Sequence, residues 1–195
     1  MKPLENLDKY EVVLASNSPR RKQLLADLGI RFTTHVIDGI DESFPADTPV
    51  MEVAQAISRS KAEAYRQYAV GNRLVITADT VVVCGGMVMG KPHDAAEACA
   101  MLHSLSGKKH HVVTGVTITT AGRQSSFSAI TEVEFAELAN EEIDYYVDTF
   151  APTDKAGAYG IQEWIGCIGV RGISGSFYNV MGLPLQRLYT ELKKY

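Results

Sequence analysis

A mixed β-sheet flanked by α-helices is the fold the sequence predicts, and three features predict it. Segments rich in β-branched and apolar residues alternate along the chain with segments of helical period. The alternation keeps no strict βα rhythm, because two long strand segments, 111–120 and 124–135, follow each other directly; that argues against a doubly wound parallel sheet. No repeat, low-complexity tract or linker divides the 195 residues. A chain of that length buries roughly 70% of the surface it exposes when unfolded, which suits one domain, or two lobes sharing a sheet, over residues 1–195.

The elements follow in order. Glu11-Val12-Val13-Leu14-Ala15 reads as a short buried strand. Ser18-Pro19 then opens a helix, serine capping the free amides and proline suiting the first turn, with Leu24, Leu25 and Leu28 on one face and Gly29 at its end. Thr48-Pro49 opens a second helix whose inner side carries Val53, Ala54, Ile57, Ala64 and Tyr65. Leu74 to Val83 is a strand that Gly85-Gly86 turns into a hairpin. Asp94 with Glu97 resembles a capping box for a third helix ending near Ser106-Gly107. The strands 111–120 and 124–135 flank the turn Ala121-Gly122-Arg123, and Asn140 caps a fourth helix carrying Ile143, Tyr146 and Val147. The Gly-rich stretch 156–182 reads as loop and short strand, and the last helix, 183–193, turns Leu185, Leu188 and Leu192 inward.

Composition excludes several classes. With 46% hydrophobic and 22% charged residues the chain is neither disordered nor fibrous. A net charge of −4 is not that of a protein gripping a nucleic-acid backbone, so an anion it binds is small and met by a local cluster. Cys84, Cys99 and Cys167 show no metal-ligand spacing and read as reduced core thiols. The first ten residues are polar, with no signal-peptide core, and no apolar run approaches the ~20 residues of a membrane helix. The expected compartment is the cytoplasm, with no membrane and no nucleic-acid partner.

Five constellations carry possible chemistry. In Ser16-Asn17-Ser18-Pro19-Arg20-Arg21 a helix start presents free amides, and two arginines oppose its dipole at a cost of roughly 0.3–1 kcal/mol each, which an anion bound between them offsets. A capped surface helix whose arginines pair with carboxylates fits the same spacing equally well. Ala78-Asp79-Thr80 places a carboxylate in an apolar strand, where it is costly unless paired, metal-bound or at the strand's mouth; a turn-bonded aspartate is the plainer alternative. Gly90-Lys91-Pro92 holds a lysine between two backbone-restricting residues, while Lys61 reads by default as part of a solvated helix face. In 154–162 the small residues let a ligand approach the backbone and Gln162 could read a base edge, or the glycines serve turn geometry alone. There is no Walker loop, no GxGxxG and no GxSxG. His110-His111 lacks a third ligand and reads as core packing or turn bonding.

Taken together, these segments resemble the Maf family of nucleotide pyrophosphatases. The resemblance runs through Leu14-Ala15-Ser16-Asn17-Ser18-Pro19-Arg20-Arg21, Asp41-Glu42, Lys61-Ala62, Ala78-Asp79-Thr80, Gly90-Lys91-Pro92, Leu105-Ser106-Gly107, the stretch 154–162 and Asn179-Val180-Met181-Gly182-Leu183-Pro184-Leu185. It implies an elongated mixed sheet flanked by helices, two lobes with a cleft, similar to the inosine triphosphate pyrophosphatase fold. It implies hydrolysis of a nucleoside triphosphate to the monophosphate and pyrophosphate with a divalent cation, Mg²⁺ or Mn²⁺. Asp79 would be the catalytic carboxylate. Ser16, Ser18, Arg20, Arg21, Lys61 and Lys91 would bind substrate, and Glu42 with Asp79 would hold the metal. Because an ordinary aspartate has a pKa near ~3.9, Asp79 needs a shifted pKa or the metal's help to act as a base.

Within the family one subgroup favours dTTP and UTP and another 7-methyl-GTP. The distinguishing positions here are Arg20, Thr80 and Gln162, all of the first type. The chain departs at Gln162-Glu163-Trp164, where the family often has a glycine after the glutamine. A 7-methyl-GTP pyrophosphatase and a nucleotide-binding regulator of septum formation are the competing expectations, and a homodimer is a further one.

Overall fold

The computed structural model describes residues 3–195. Its strands are β1 (Glu11–Leu14), β2 (Thr33–Thr34), β3 (Arg73–Cys84), β4 (Met87–Met89), β5 (Lys109–Thr119), β6 (Gln124–Phe135) and β7 (Val170–Ser174). They form one mixed sheet in the order β2-β1-β3-β5-β6-β7, with β4 paired to β3 outside that path. β1 runs parallel to both β2 and β3, whereas β3–β4 and β6–β7 are antiparallel. The helices are α1 (Pro19–Asp27), α2 (Val53–Ala64), α3 (Ala95–Leu105), α4 (Asn140–Phe150), α5 (Trp164–Gly169), α6 (Phe177–Val180) and α7 (Leu185–Leu192).

Local signals set many of these boundaries. The Ser18 side chain accepts the Arg21 amide with Pro19 as the first helical residue of α1. Gly85 and Gly86 both take positive φ, 57° and 80°, the pair a two-residue hairpin turn of type I′ demands between β3 and β4. Asp94 accepts the Glu97 amide at 2.8 Å, and the Glu97 carboxylate reaches back to the His93 amide at 2.7 Å.

Other expectations are corrected. Thr48-Pro49 does not open the second helix: 49–52 form a turn, with the Glu52 amide on the Pro49 carbonyl at 2.7 Å, and α2 starts at Val53. On α2 the inward residue is Ala62, not Ala64, which is exposed; the buried row 54, 58, 62, 65 keeps the helical period that Ala64 breaks. Asn140 is the first residue of α4 and not its cap, the Glu142 carboxylate instead taking the Ala139 amide at 2.8 Å. The stretch 156–182 is more regular than expected, since it folds α5, β7 and α6. The cysteines are free, yet only Cys84 is buried; Cys99 is half-buried and Cys167 exposed.

Two compact units divide the chain. Unit 1 comprises the described residues up to Asp79 with Thr114–Ala129 and Gly182–Tyr195; unit 2 comprises Thr80–Val113 and Ile130–Met181. In unit 1, Val13, Val75, Tyr65 and Ala69 pack together, and α7 buries Leu185, Leu188 and Leu192. A chain of hydroxyls, buried at Thr77, Ser58 and Thr117, adds specificity. The Thr77 hydroxyl donates to the Ser58 carbonyl at 2.8 Å, Ser58 Oγ lies 3.0 Å from Thr117 Oγ1, and Thr117 Oγ1 lies 2.9 Å from Ser126 Oγ.

α2 can come that close to the sheet because Gly115 stands beneath it. A Cβ there would lie 2.3 Å from the Ala54 carbonyl oxygen, a backbone atom that cannot swing aside. Gly115→Ala is therefore expected to cost on the order of 2–3 kcal/mol and to lower the melting temperature by roughly 5–10 °C. Thermal melting followed by circular dichroism checks it, and an unchanged midpoint would contradict the close seating of α2.

Unit 2 has a cluster of its own: Leu102 and Leu105 of α3, Val133 and Phe135 of β6, Ile143, Tyr146 and Val147 of α4, with Ile161 and Ile165. His110 is part of this core, as expected. Its Nε2 lies 2.8 Å from the Tyr159 hydroxyl and its ring stands edge-on to Phe135. Burial first, and His111 second, push its pKa down to about 4, so the imidazole is neutral and structural at neutral pH.

Candidate active site

In unit 1 several of the candidate residues gather at one end of β1. In the order β2-β1-β3 all three strands are parallel, and the chain leaves β1 toward β2 on one side and returns as β3 on the other. The carboxyl end of such a central strand is the switch point where open α/β sheets bind ligands. Here the loop from Ala15 to Ser18 and the start of α1 occupy it. β1 ends at Leu14 opposite Ile76, while β3 runs on to Cys84. Ala78 and Asp79 thus pass beside the loop leaving β1. A carboxylate is tolerated in this apolar strand because the neighbouring ladder has ended there.

Asp79 is joined to Lys61 and, through it, to Glu42. Its Oδ1 accepts from Lys61 Nζ at 2.7 Å, and the same ammonium meets Glu42 Oε1 at 3.0 Å. The Asp79 and Lys61 side chains are each 13% exposed and Glu42 50%, so the pair is shielded and the third member reaches solvent. The hydroxyl chain explains the fit. Thr77 and Asp79 share one face of β3, and Ser58 and Lys61 lie three residues apart on α2, so the Thr77–Ser58 bond sets the helix that brings Lys61 to Asp79. Ser60 adds a bond to the Asp41 carbonyl at 3.3 Å, which ties the loop bearing Glu42 to the same helix.

Around the loop, Ser16 is buried and its Oγ accepts the Ser18 amide at 3.2 Å. Arg21 donates through Nε to the Gly182 carbonyl at 2.8 Å and through a terminal nitrogen to the Ala78 carbonyl at 2.9 Å. Those two bonds tie α1 to β3 and to the segment before α7, so this guanidinium fixes the architecture next to Asp79. Burial lowers its pKa, Asp79 opposes that, and the neighbouring Arg20 adds to the lowering. Arg20 is half-buried beside it. The start of α1 therefore carries two guanidinium groups and a capped set of helix amides.

Among the described residues no three His, Cys, Asp or Glu side chains form a preformed metal group. Asp79 and Glu42 nevertheless converge on a single cation, the Lys61 ammonium, through hard oxygen donors. Magnesium is commonly held by one or two carboxylates with substrate phosphates completing its shell, so this donor set fits Mg²⁺ or Mn²⁺ once a triphosphate is bound.

Unit 2 holds the other expected residues. Thr80 directly follows Asp79 on β3 and is half-buried. Lys91 is exposed between Gly90 and the buried Pro92, and the Gly90 carbonyl accepts the Gly157 amide at 3.0 Å. That bond joins the Lys91 turn to the loop 154–162, in which a Cβ on Gly157 would meet Val82 at 2.7 Å. Gln162 is exposed at the end of this loop, its Nε2 3.5 Å from Glu163 Oε1.

Sequence reasoning missed what holds that loop. Lys155 is 7% exposed, its ammonium 2.7 Å from Asp154 Oδ1 and 3.1 Å from Glu163 Oε1. The Tyr146 hydroxyl donates to Glu163 Oε2 and accepts the Gly160 amide at 3.0 Å. The available signal was the glutamate standing where resemblance led one to expect glycine, combined with a lysine set among small residues.

A family model described as Maf-like protein matches residues 11–195. A protein of Phocaeicola vulgatus named dTTP/UTP pyrophosphatase is 60% identical over 98% of this chain and 99% of its own. One of the same name from Bacteroides thetaiotaomicron is 57% identical over the same shares. Among solved structures, a HAM1 protein from Coxiella burnetii matches with a TM-score of 0.47 and 18% identity, over 95% of this chain and all 100% of that one.

Proposed function

Because the chain belongs to the Maf-like family, we propose that it is a nucleoside triphosphate pyrophosphatase that hydrolyses dTTP and UTP to the monophosphate and pyrophosphate. The observation that carries this reading is the Asp79–Lys61–Glu42 group beside the capped start of α1, at the carboxyl end of the central parallel strand. The names of the relatives support the substrate class.

The triphosphate is nearly fourfold negative, so cations and donors must concentrate where it lies. Arg20, Lys61, Lys91, the helix amides behind Ser18 and the hydroxyl of Ser16 bind its oxygens, while Arg21 holds the loop in shape and adds positive potential. Glu42 and Asp79 would hold a divalent ion, which would supply further positive charge to the phosphate oxygens. Asp79 takes a proton from the attacking water as the water oxygen bonds to the α-phosphorus. The bond from that phosphorus to the oxygen bridging to the β-phosphate breaks, and pyrophosphate leaves with the electron pair. Thr80 and Gln162 read the pyrimidine. The enzyme works in the cytoplasm; among the described residues no helix is long and apolar enough to cross a membrane.

Steady-state rates for dTTP, UTP and 7-methyl-GTP, each with Mg²⁺, Mn²⁺ or a chelator, test this reading. The expected result is a preference for dTTP and UTP over 7-methyl-GTP of roughly 10²-fold or more, abolished by the chelator and restored by either ion. Preference for 7-methyl-GTP, or binding without turnover, would replace it with one of the competing expectations.

A further inference from the structure

We infer that Glu163 is a positioning residue for base selection: clamped by Lys155 and Tyr146, it fixes which end of the Gln162 amide faces the nucleotide. The inference rests on the pyrophosphatase reading and deepens it.

Gln162 offers two chemically opposite ends, an amide NH₂ that donates and a carbonyl that accepts. An exposed glutamine with no neighbour presents either with equal ease. Here it has a neighbour of fixed charge. The Gln162 Nε2 lies 3.5 Å from Glu163 Oε1, the outer limit of a hydrogen bond, and rotation of the amide would bring its carbonyl against a carboxylate. Gly160 makes room for the arrangement, since a Cβ there would lie 2.8 Å from both Gln162 Nε2 and Glu163 Cδ.

The carboxylate itself cannot turn away. Lys155 holds Oε1 at 3.1 Å from a buried position, and the Tyr146 hydroxyl donates to Oε2 while accepting the Gly160 amide at 3.0 Å. Burial and then the Glu163 contact raise the Tyr146 pKa, so the phenol remains a donor. The turn closes through the Glu163 amide on the Gly160 carbonyl at 2.9 Å. Lys155 and Tyr146 thus hold Glu163 beside the Gln162 nitrogen, which leaves the Gln162 carbonyl as the end turned away from the carboxylate.

An outward carbonyl accepts a hydrogen bond from the ring N3–H that uracil and thymine share. Cytosine has an acceptor at N3, whose lone pair would meet a lone pair of the carbonyl. The chemistry that recognises the substrate is therefore an imide N–H, and discrimination against cytosine is a property of Glu163 as much as of Gln162.

The test compares kcat/KM for UTP and CTP in the wild-type enzyme and in Glu163→Gln, with thermal melting to verify folding. The UTP-to-CTP ratio is expected to fall roughly tenfold in Glu163→Gln, with KM for UTP rising more than kcat falls. Tyr146→Phe keeps the Lys155 ion pair, loses one half of the clamp and is expected to lower the ratio by a smaller factor, about threefold; it decides the matter if Glu163→Gln does not fold. A wild-type ratio in a folded Glu163→Gln, or in Tyr146→Phe where the first variant fails, overturns the inference. Absence of UTP turnover in the wild-type enzyme would instead overturn the pyrophosphatase reading itself.

Discussion

Asp79→Asn is expected to bind dTTP normally and to turn it over roughly 10²–10⁴-fold more slowly. The substitution keeps the shape of the side chain and leaves an oxygen to accept from Lys61, which sits 2.7 Å away in the native protein. It removes the charge and, with it, the capacity to take the proton of the attacking water. Calorimetric titration with dTTP in the absence of turnover, followed by single-turnover kinetics, separates the two effects. Rates close to wild type would remove Asp79 from the chemistry. Loss of binding in step with rate would make it a ligand for the nucleotide and not a base.

Lys61→Met should lower kcat/KM by roughly 10²–10³-fold, the loss that follows removal of one well-placed donor from a preorganised charged site. Methionine preserves the stem of the side chain but takes away the ammonium that pairs with both Asp79 and Glu42. Two carboxylates then face each other without the ammonium, one of them with a side chain only 13% exposed. A divalent ion relieves that repulsion. Mg²⁺ is thus expected to raise the melting temperature of Lys61→Met by more than it raises that of the wild type. Equal shifts in the two proteins would contradict the reading of Glu42 and Asp79 as one cation-binding pair.

Features written in neighbouring residues were legible in the sequence. The Ser18 cap with Pro19, the Gly85-Gly86 turn and the Asp94–Glu97 box each combine a backbone demand with the side chain that meets it a few residues away. The strand 124–135 was bounded by its turn and its pattern, and the structure ends it at the same residues. Features that depend on distant partners were not. Arg21 reads as a phosphate ligand from its place at a helix start, and no local pattern shows the two bonds it also makes to carbonyls 57 and 161 positions away. β2 is only two residues long, too short for any periodicity, although it completes the parallel trio that defines the switch point. α5 carries two glycines that lower its helical propensity, and Gly166 is there because a Cβ would lie 1.8 Å from the Ile161 carbonyl oxygen. That approach is a tertiary fact, invisible in local pattern.

The candidate site shows the same division. Asp79 stood out as a charge in an apolar strand, and Arg20 with Arg21 as cations at the wrong end of a helix dipole. Lys61 carried no local mark; what distinguishes it is a contact made across 18 residues of chain, held in place by buried hydroxyls of Thr77 and Ser58. Lys155 and Tyr146 gain meaning only through Glu163, which both of them touch.

In the proposed mechanism water attacks the α-phosphorus of a pyrimidine triphosphate. Hydrolysis of UTP in oxygen-18 water, with the products separated and weighed by mass spectrometry, tests that claim most directly. One heavy oxygen is expected in UMP and none in the pyrophosphate released with it. Label in pyrophosphate, or release of orthophosphate and UDP, would contradict it.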